Sequence, residues 1–266
     1  MSRCSPDIPN IQTIYFSKAN QSIARFAVGL ATVIGLFGGA LIFTGCVPES
    51  LKKLGFSIIS DQEVEPKGPN TYQKITGEDA EDSRGRWDQL FNTTSYVFGR
   101  EPAAIVKESI HWLPIGKALD IAMGEGRNAV FLAKKGFVVV GVDYSEVAIQ
   151  KAKLLAKENQ VRITTENADL NHYVIAPETY DVILNIQYLQ RSLISQIKRG
   201  LKSGGVVVFE NYLIDQIENN PSEKMDKEFL LKKGELKALF SDFKILVYRE
   251  TNDGKEAVAV LIAKKP

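Results

Sequence analysis

Cysteine is nearly absent from this chain: only Cys4 and Cys46 occur, both ahead of residue 48. From residue 48 onward there is no disulfide, no thiolate metal site and no Cys nucleophile. Histidine is as scarce, with only His111 and His172. Two isolated imidazoles do not make a zinc site, and each reads as a surface or packing residue. No metal ligands are expected. An excess of one charge is missing too: Lys and Arg number 33 against 32 Asp and Glu, a net +1. Nothing in that balance draws the chain to a polyanion, so no nucleic-acid partner is expected. There is no internal repeat. Long apolar runs are missing as well, with one exception.

The exception is Phe26 to Val47, 22 residues without a charge. At about 1.5 Å of rise per residue a helix of that length crosses a hydrocarbon core of roughly 30 Å. It is therefore expected to be a transmembrane or signal-anchor helix. Ala27, Ala31, Gly35 and Gly39 recur every four positions, which sets small residues on one stripe, as where membrane helices approach closely. A competing reading takes Ile42-Phe43-Thr44-Gly45-Cys46, which resembles a bacterial lipoprotein processing box with Cys46 acylated. The long preceding segment and the long apolar run favour an uncleaved anchor. Residues 1–25 read as an N-terminal tail and 48–85 as a polar linker, for Asp61 to Asn70 holds two prolines and little to bury. The folded domain is expected over 86–266.

Within it the pattern alternates between strands and helices. Strands are expected at Lys117–Met123, Phe137–Val142, Val161–Asn167, Tyr180–Ile186, Val206–Tyr212, Lys244–Arg249 and Ala257–Ala263. Helices are expected at Asn128–Lys134, from Ser145 as N-cap to about Glu158, at Leu193–Leu201 with a stop at Ser203-Gly204-Gly205, and at Glu235–Phe240. Such alternation predicts an α/β fold: a doubly wound, mostly parallel sheet of seven strands, covered on both faces. Asn252-Asp253-Gly254 suits a hairpin, so the last strand is expected to be antiparallel.

The informative stretch is Ala118-Leu-Asp-Ile-Ala-Met-Gly-Glu-Gly-Arg-Asn-Ala129. Gly124 and Gly126 follow a strand and open a helix, which permits a tight turn and a close backbone approach to a ligand. Asp143 ends the next strand, where a carboxylate can accept ribose hydroxyls. The glycines alone also satisfy a dinucleotide fingerprint, so an NAD(P)-dependent oxidoreductase is an alternative. Asp120 argues against it. An acid beside the turn repels a pyrophosphate, whereas it attracts the ammonium and sulfonium of S-adenosylmethionine. That cofactor's carboxylate would then fall to the backbone N–H groups of the glycine turn.

This stretch, with Gly141-Val-Asp143-Tyr-Ser145 after it, resembles class I S-adenosylmethionine-dependent methyltransferases. Gly126-Arg-Asn128 and the ending Gly234 to Glu250 resemble the branch of tellurite-resistance and thiopurine-type enzymes. The resemblance covers residues 86–266 and departs from the common pattern at Ala122, where that pattern has glycine. It implies that Asp120 faces the methionine moiety and Asp143 the ribose, with Ala122, Gly124, Gly126, Arg127, Asn128, Tyr144 and Ser145 also at the cofactor. It implies that Asp169 meets the adenine amino group between Ala168 and Leu170. Asn185, Ile186 and Gln187 would face the methionyl part. The competing reading of Asp169 is a turn residue ahead of Asn171. Trp87, Phe91, Tyr96 and Phe98 would form a lid, or else a helix packed on the sheet edge.

Methyl transfer from a sulfonium is an in-line displacement with a neutral leaving group, so alignment and water exclusion dominate. A base is needed only for an acceptor whose proton is weakly acidic, and none stands out here. Tyr188 and Arg191 follow the fourth strand and are the catalytic candidates, Arg191 as a steering charge for an anion or else a surface charge. The expected partner is a small-molecule methyl acceptor: a thiol, a metalloid oxyanion or a similar soft nucleophile. Arsenic-type methylation through Cys ligands is excluded by composition. A non-catalytic, membrane-tethered cofactor-binding module is the remaining alternative. Charges flanking the apolar run barely favour a cytoplasmic N-terminus. A cytoplasmic cofactor instead favours a cytoplasmic domain.

Overall fold

The computed structural model describes residues 11–15, 32–37, 40–44, 80–222 and 225–266, with side chains from Arg84 onward. Two compact units divide the chain, Met1–Glu65 and Pro66–Pro266.

In the first unit three strands are described: β1 (Ile11–Tyr15), β2 (Thr32–Phe37) and β3 (Ala40–Thr44). They form an antiparallel sheet in the order β1-β3-β2. This corrects two expectations. Part of the supposed tail is a strand, and the described parts of the 26–47 run are strands where one membrane-length helix was expected. The physical reason lies in the residues. Phe37 pairs with Ala40 across a two-residue spacer, and that spacer in the sequence is Gly38-Gly39, a hairpin signature. Thr32, Val33 and Ile34 are β-branched and favour extended backbone. Among the described residues no helix is long and apolar enough to cross a membrane.

The second unit opens with α1 (Ala80–Phe91), which runs through the boundary expected between linker and domain at 85/86. Residues 45–79, most of that linker, lie outside the described residues. Then follow α2 (Ala104–Ser109), β4 (Lys117–Ile121), α3 (Arg127–Lys134), β5 (Val138–Asp143), α4 (Glu146–Glu158), β6 (Thr164–Asn167), β7 (Tyr180–Ile186), α5 (Ile194–Gly200), β8 (Leu201–Tyr212), α6 (Gln216–Asn219), α7 (Glu235–Leu239), β9 (Lys244–Asn252) and β10 (Ala257–Lys264). The seven-stranded sheet has the order β6-β5-β4-β7-β8-β10-β9, and β10 runs antiparallel to both neighbours. The fold expected from the sequence is the one observed. Asp253 sets the final reversal, its Oδ1 accepting the N–H groups of Lys255 and Glu256 at 2.8 Å each.

Alternation along the strands makes two cores. Ala118, Val182, Val208 and Val260 face α2, α3 and α4, while Leu119, Ile183, Val207 and Leu261 face α5 and α7. The helix expected over Leu193–Leu201 ends at Gly200, and β8 starts at Leu201, ahead of the Ser203-Gly204-Gly205 stop. Leu201 is fully buried and pairs with Tyr180. That burial rewards extended backbone three residues earlier than the glycine pair suggests. The chain passes from β4 outward to β5 and β6, then returns to β7 on the other side of β4. That reversal opens a crevice at the carboxyl ends of β4, β5 and β7, where ligands bind in open α/β sheets.

Candidate functional site

The glycine turn joins β4 to α3, and its shape is fixed by contacts on both sides. Gly124 and Gly126 have φ of +55° and +81°. A Cβ on Gly126 would lie 2.7 Å from the Ala152 Cβ of α4, so a glycine is what lets α3 and α4 meet. Ala122 also sits at positive φ (+52°), a strained state for a side-chain-bearing residue costing about 1–2 kcal/mol. The Gly124 N–H donates to Asp143 Oδ2 at 2.7 Å, and the Ser145 N–H to Asp143 Oδ1 at 2.9 Å. The turn of β4 and the end of β5 are thus one unit. The Gly126 N–H donates to the Met123 carbonyl. The N–H groups of both glycines are therefore used within the protein, and neither is left over for a ligand carboxylate.

Asp120 is 1% exposed. The Ala129 N–H supports it, Arg127 lies within electrostatic reach, and its Oδ2 has no hydrogen-bond partner. Burial pushes its pKa up to about 7, against a smaller downward pull from Arg127. Asp143 is pushed up to about 6, again by burial, with the Ser145 and Gly124 N–H groups opposing. Asn185 is fully buried at the end of β7, and neither its Oδ1 nor its Nδ2 is bonded. A buried polar group without a partner costs about 1–3 kcal/mol, so Asp120 and Asn185 mark where a polar ligand would repay the fold.

Other expected residues have work inside the protein. The Asn128 Oδ1 accepts the Ala103 N–H at 2.9 Å. Ser145 caps α4 through the Ala148 N–H, as its position predicted, and donates to Asp88 Oδ1 at 2.5 Å. Arg84 lies over the Tyr144 ring. Asp169 is a turn residue in this structure, its Oδ1 accepting the Asn171 N–H and its Oδ2 pairing with His172. Ala168 and Leu170 flank it; the Ala168 N–H donates to the Asp143 carbonyl and Leu170 is buried. Gln187 adopts φ of +58°, donates its N–H to the Glu210 carbonyl and bonds the Tyr212 hydroxyl.

The two catalytic candidates need correction. The Tyr188 hydroxyl donates to Gln190 Oε1 at 2.6 Å. Burial, with the charges of Asp169 and Asp143, raises its pKa, so at neutral pH it is a phenol and not a base. Arg191 is a clasp: its guanidinium takes Glu235 in a two-pronged pair and donates to the Glu228 and Leu230 carbonyls. It fastens the chain ahead of α7 to the end of β7 and has little left for a substrate.

Sequence reasoning missed the latch that closes the aromatic segment over the turn. Phe91 is 3% exposed and reaches within 3.7 Å of the Cβ position of Gly124, while Trp87 stacks on it. Glu125 and Arg127 flank Gly126 and hold one residue between them. Glu125 Oε2 accepts the Phe98 N–H, and Arg127 Nη1 donates to the Phe98 carbonyl. Lys151 pairs with Glu125 and gathers the carbonyls of Phe91, Thr93 and Ser95. The aromatics thus do both things the sequence allowed: they pack, and they cover the turn. Only the two charges inside the turn itself, Glu125 and Arg127, could have signalled this.

Comparison with known proteins agrees with this geometry. The model of the tellurite resistance protein TehB family matches residues 88–256. A probable S-adenosyl-L-methionine-dependent methyltransferase TehB of Haemophilus influenzae is 26% identical over 138 residues, 50% of this chain and 48% of the relative. A ubiquinone biosynthesis O-methyltransferase of Aliivibrio fischeri is 30% identical over 137 residues, 48% of this chain and 58% of the relative. The match thus spans about half the length of these curated relatives. The crystal structure of TehB from Haemophilus influenzae superposes with a TM-score of 0.54 at 22% identity, covering 69% of this chain and 67% of that one. That likeness concerns the fold.

Proposed function

The chain belongs to the tellurite resistance protein TehB family, and on that premise we propose that it is an S-adenosylmethionine-dependent methyltransferase acting on a small molecule. The observation that carries this is the buried carboxylate of Asp120 with an unbonded oxygen at the floor of the crevice. It fits a cation. A pyrophosphate there would meet an acid in a poorly hydrated site, which disfavours a nicotinamide cofactor.

The residues present fit the group. Asp120 would hold the α-ammonium and Asn185 would bond the methionyl part, each through atoms now unpartnered. The Asp143 carboxylate accepts the Gly124, Ser145 and Tyr144 N–H groups and keeps lone-pair capacity for a ribose hydroxyl. When bound, the cofactor supplies a methyl group on a sulfonium whose departure leaves a neutral thioether. The protein's share is to bind, to orient, and to exclude water with the Phe91 and Phe98 cover. The acceptor is a small nucleophile, and the resemblance to tellurite-resistance and thiopurine-type enzymes points to a soft one such as a thiol or a metalloid oxyanion. Incubating the full chain with labelled S-adenosylmethionine and a set of small acceptors is expected to give labelled product and S-adenosylhomocysteine. Tight cofactor binding with no product from any acceptor would point to a binding module and against an enzyme.

The apolar run from Phe26 to Val47 supports a second, separate proposal: attachment to a membrane, with the domain on the cytoplasmic side where the cofactor is made. Full-length protein is then expected to sediment with membranes through a carbonate wash and to leave them only in detergent. Recovery in the carbonate supernatant would sink that idea.

A further inference from the structure

Glu210 lies at the carboxyl end of β8. In the sheet register Asp120 stands beside Leu184, and Leu184 beside Val208. Glu210 stands beside Ile186 and Val260, and Val260 beside Arg249. Glu210 therefore shares a face with Asp120. It lies two strands over and two residues nearer the carboxyl edge, roughly 12 Å away between Cα atoms from standard strand spacing and rise. The two acids stand apart along one crevice edge, and Arg127 is within electrostatic reach of both.

Glu210 is partly buried. Among the described residues none donates a hydrogen bond to it and no cation comes within ion-pair distance. The charges that face it are Arg127 from α3, Arg249 from β9, Glu108 from α2 and Glu256 from the turn before β10. Arg249 is already held by Glu108 at 2.9 Å. Burial raises the pKa of Glu210, while Arg127 pulls it down less strongly. Its neighbours on the face are Ile186, Val208 and Val260, all buried and apolar, and Tyr212 is close by on the same strand. A partly buried carboxylate with no hydrogen-bond or ion-pair partner among the described residues, at a strand end bordering the crevice, is apt as a base.

We propose that Glu210 is the general base of the site and that the methyl acceptor is a neutral molecule with an acidic hydroxyl, of the phenol class, rather than a bare anion. This rests on the methyltransferase reading above and departs from the soft acceptor that the resemblance suggests. The chemistry balances. The acceptor's O–H bond breaks and its proton passes to the Glu210 carboxylate. The freed electron pair on oxygen forms the O–CH₃ bond as the S–CH₃ bond breaks, its electrons remaining on the departing neutral thioether. Glu210 then returns its proton to water. An oxyanion would be repelled by the same carboxylate, whereas apolar walls suit an aromatic ring. A carboxylate of raised basicity matches an acidic hydroxyl better than an alkyl alcohol.

The test uses the full chain and its Glu210→Gln variant, with phenol and catechol as hydroxyl acceptors and thiophenolate and tellurite as bare anions. The wild type is expected to methylate the hydroxyl acceptors. The variant should lose about 10²- to 10⁴-fold in kcat on them, with S-adenosylhomocysteine affinity changed by less than about twofold. Isotope-edited infrared titration supplies a readout free of turnover: a carboxyl band titrating above the usual glutamate range, absent from the variant. Variant turnover of hydroxyl acceptors within about threefold of wild type, reaction of the wild type with the bare anions only, or no turnover of any probe by a wild type that binds S-adenosylhomocysteine would each overturn the proposal. A wild type that fails to bind S-adenosylhomocysteine would overturn the methyltransferase reading beneath it.

Discussion

Replacing Asp120 by asparagine is expected to weaken S-adenosylhomocysteine binding by roughly 30- to 1,000-fold, the effect of losing one partner of a buried charge pair, about 2–4 kcal/mol. The same change should stabilise the ligand-free protein. The Asp120 pKa rises from its ordinary 3.8 to about 7 on folding. Between about pH 4 and pH 7 the folded state therefore binds more protons than the unfolded one, and stability falls as pH rises. The full penalty is present above about pH 7, with an upper limit of about 4 kcal/mol at 1.36 kcal/mol per pKa unit. Asparagine removes the charge but keeps an oxygen for the Ala129 N–H. Denaturant melts at pH 5 and pH 8 should show the variant gaining most at pH 8. A variant that lost stability at both pH values would mean that Asp120 is a structural anchor and not a ligand site held at a cost.

Gly126→Ala is expected to destabilise the domain strongly. The added Cβ would meet Ala152 Cβ at 2.7 Å and Ala152 Cα at 3.1 Å, at φ of +81°. Overpacking costs about 1–3 kcal/mol and the left-handed backbone another 1–2 kcal/mol or so, a large share of a domain's total stability. Gly124→Ala is the control. Its φ of +55° carries a similar backbone cost, but its Cβ would meet only Phe91 Cζ, at 3.7 Å. Urea melts are expected to show a loss at Gly126 exceeding that at Gly124 by about 2 kcal/mol. Equal losses would mean that α3 and α4 do not depend on this close approach.

Where the controlling interactions are local, the sequence was readable. β5 is a β-branched run buried on the sheet, and Ser145 caps α4 through a residue three positions on. The glycine turn and its two acids were legible because strand, turn and helix follow one another directly. Long-range partners were not. Arg191 meets Glu235 44 positions away, and Asp88 reaches Ser145 across 57. No local pattern announces either, so the sequence offers Arg191 only as a steering charge or a surface charge. Glu210 gave no signal because its neighbours in sequence are those of an ordinary buried strand. The charges that face it, Glu108 from α2, Arg127 from α3 and Arg249 from β9, come from far along the chain. Phe26 to Val47 misled for another reason. Length and lack of charge fit a spanning helix, but the described segments are strands paired across a spacer of two glycines.

Titration calorimetry on the full chain, with S-adenosylhomocysteine and NAD as competing ligands, tests the central claim most directly. The account predicts one site for S-adenosylhomocysteine, with a proton released on binding near pH 6 as the ligand's ammonium favours the carboxylate form of Asp120, and no heat from NAD. Binding of NAD in preference, or S-adenosylhomocysteine binding that leaves the Asp120→Asn variant unaffected, would contradict it.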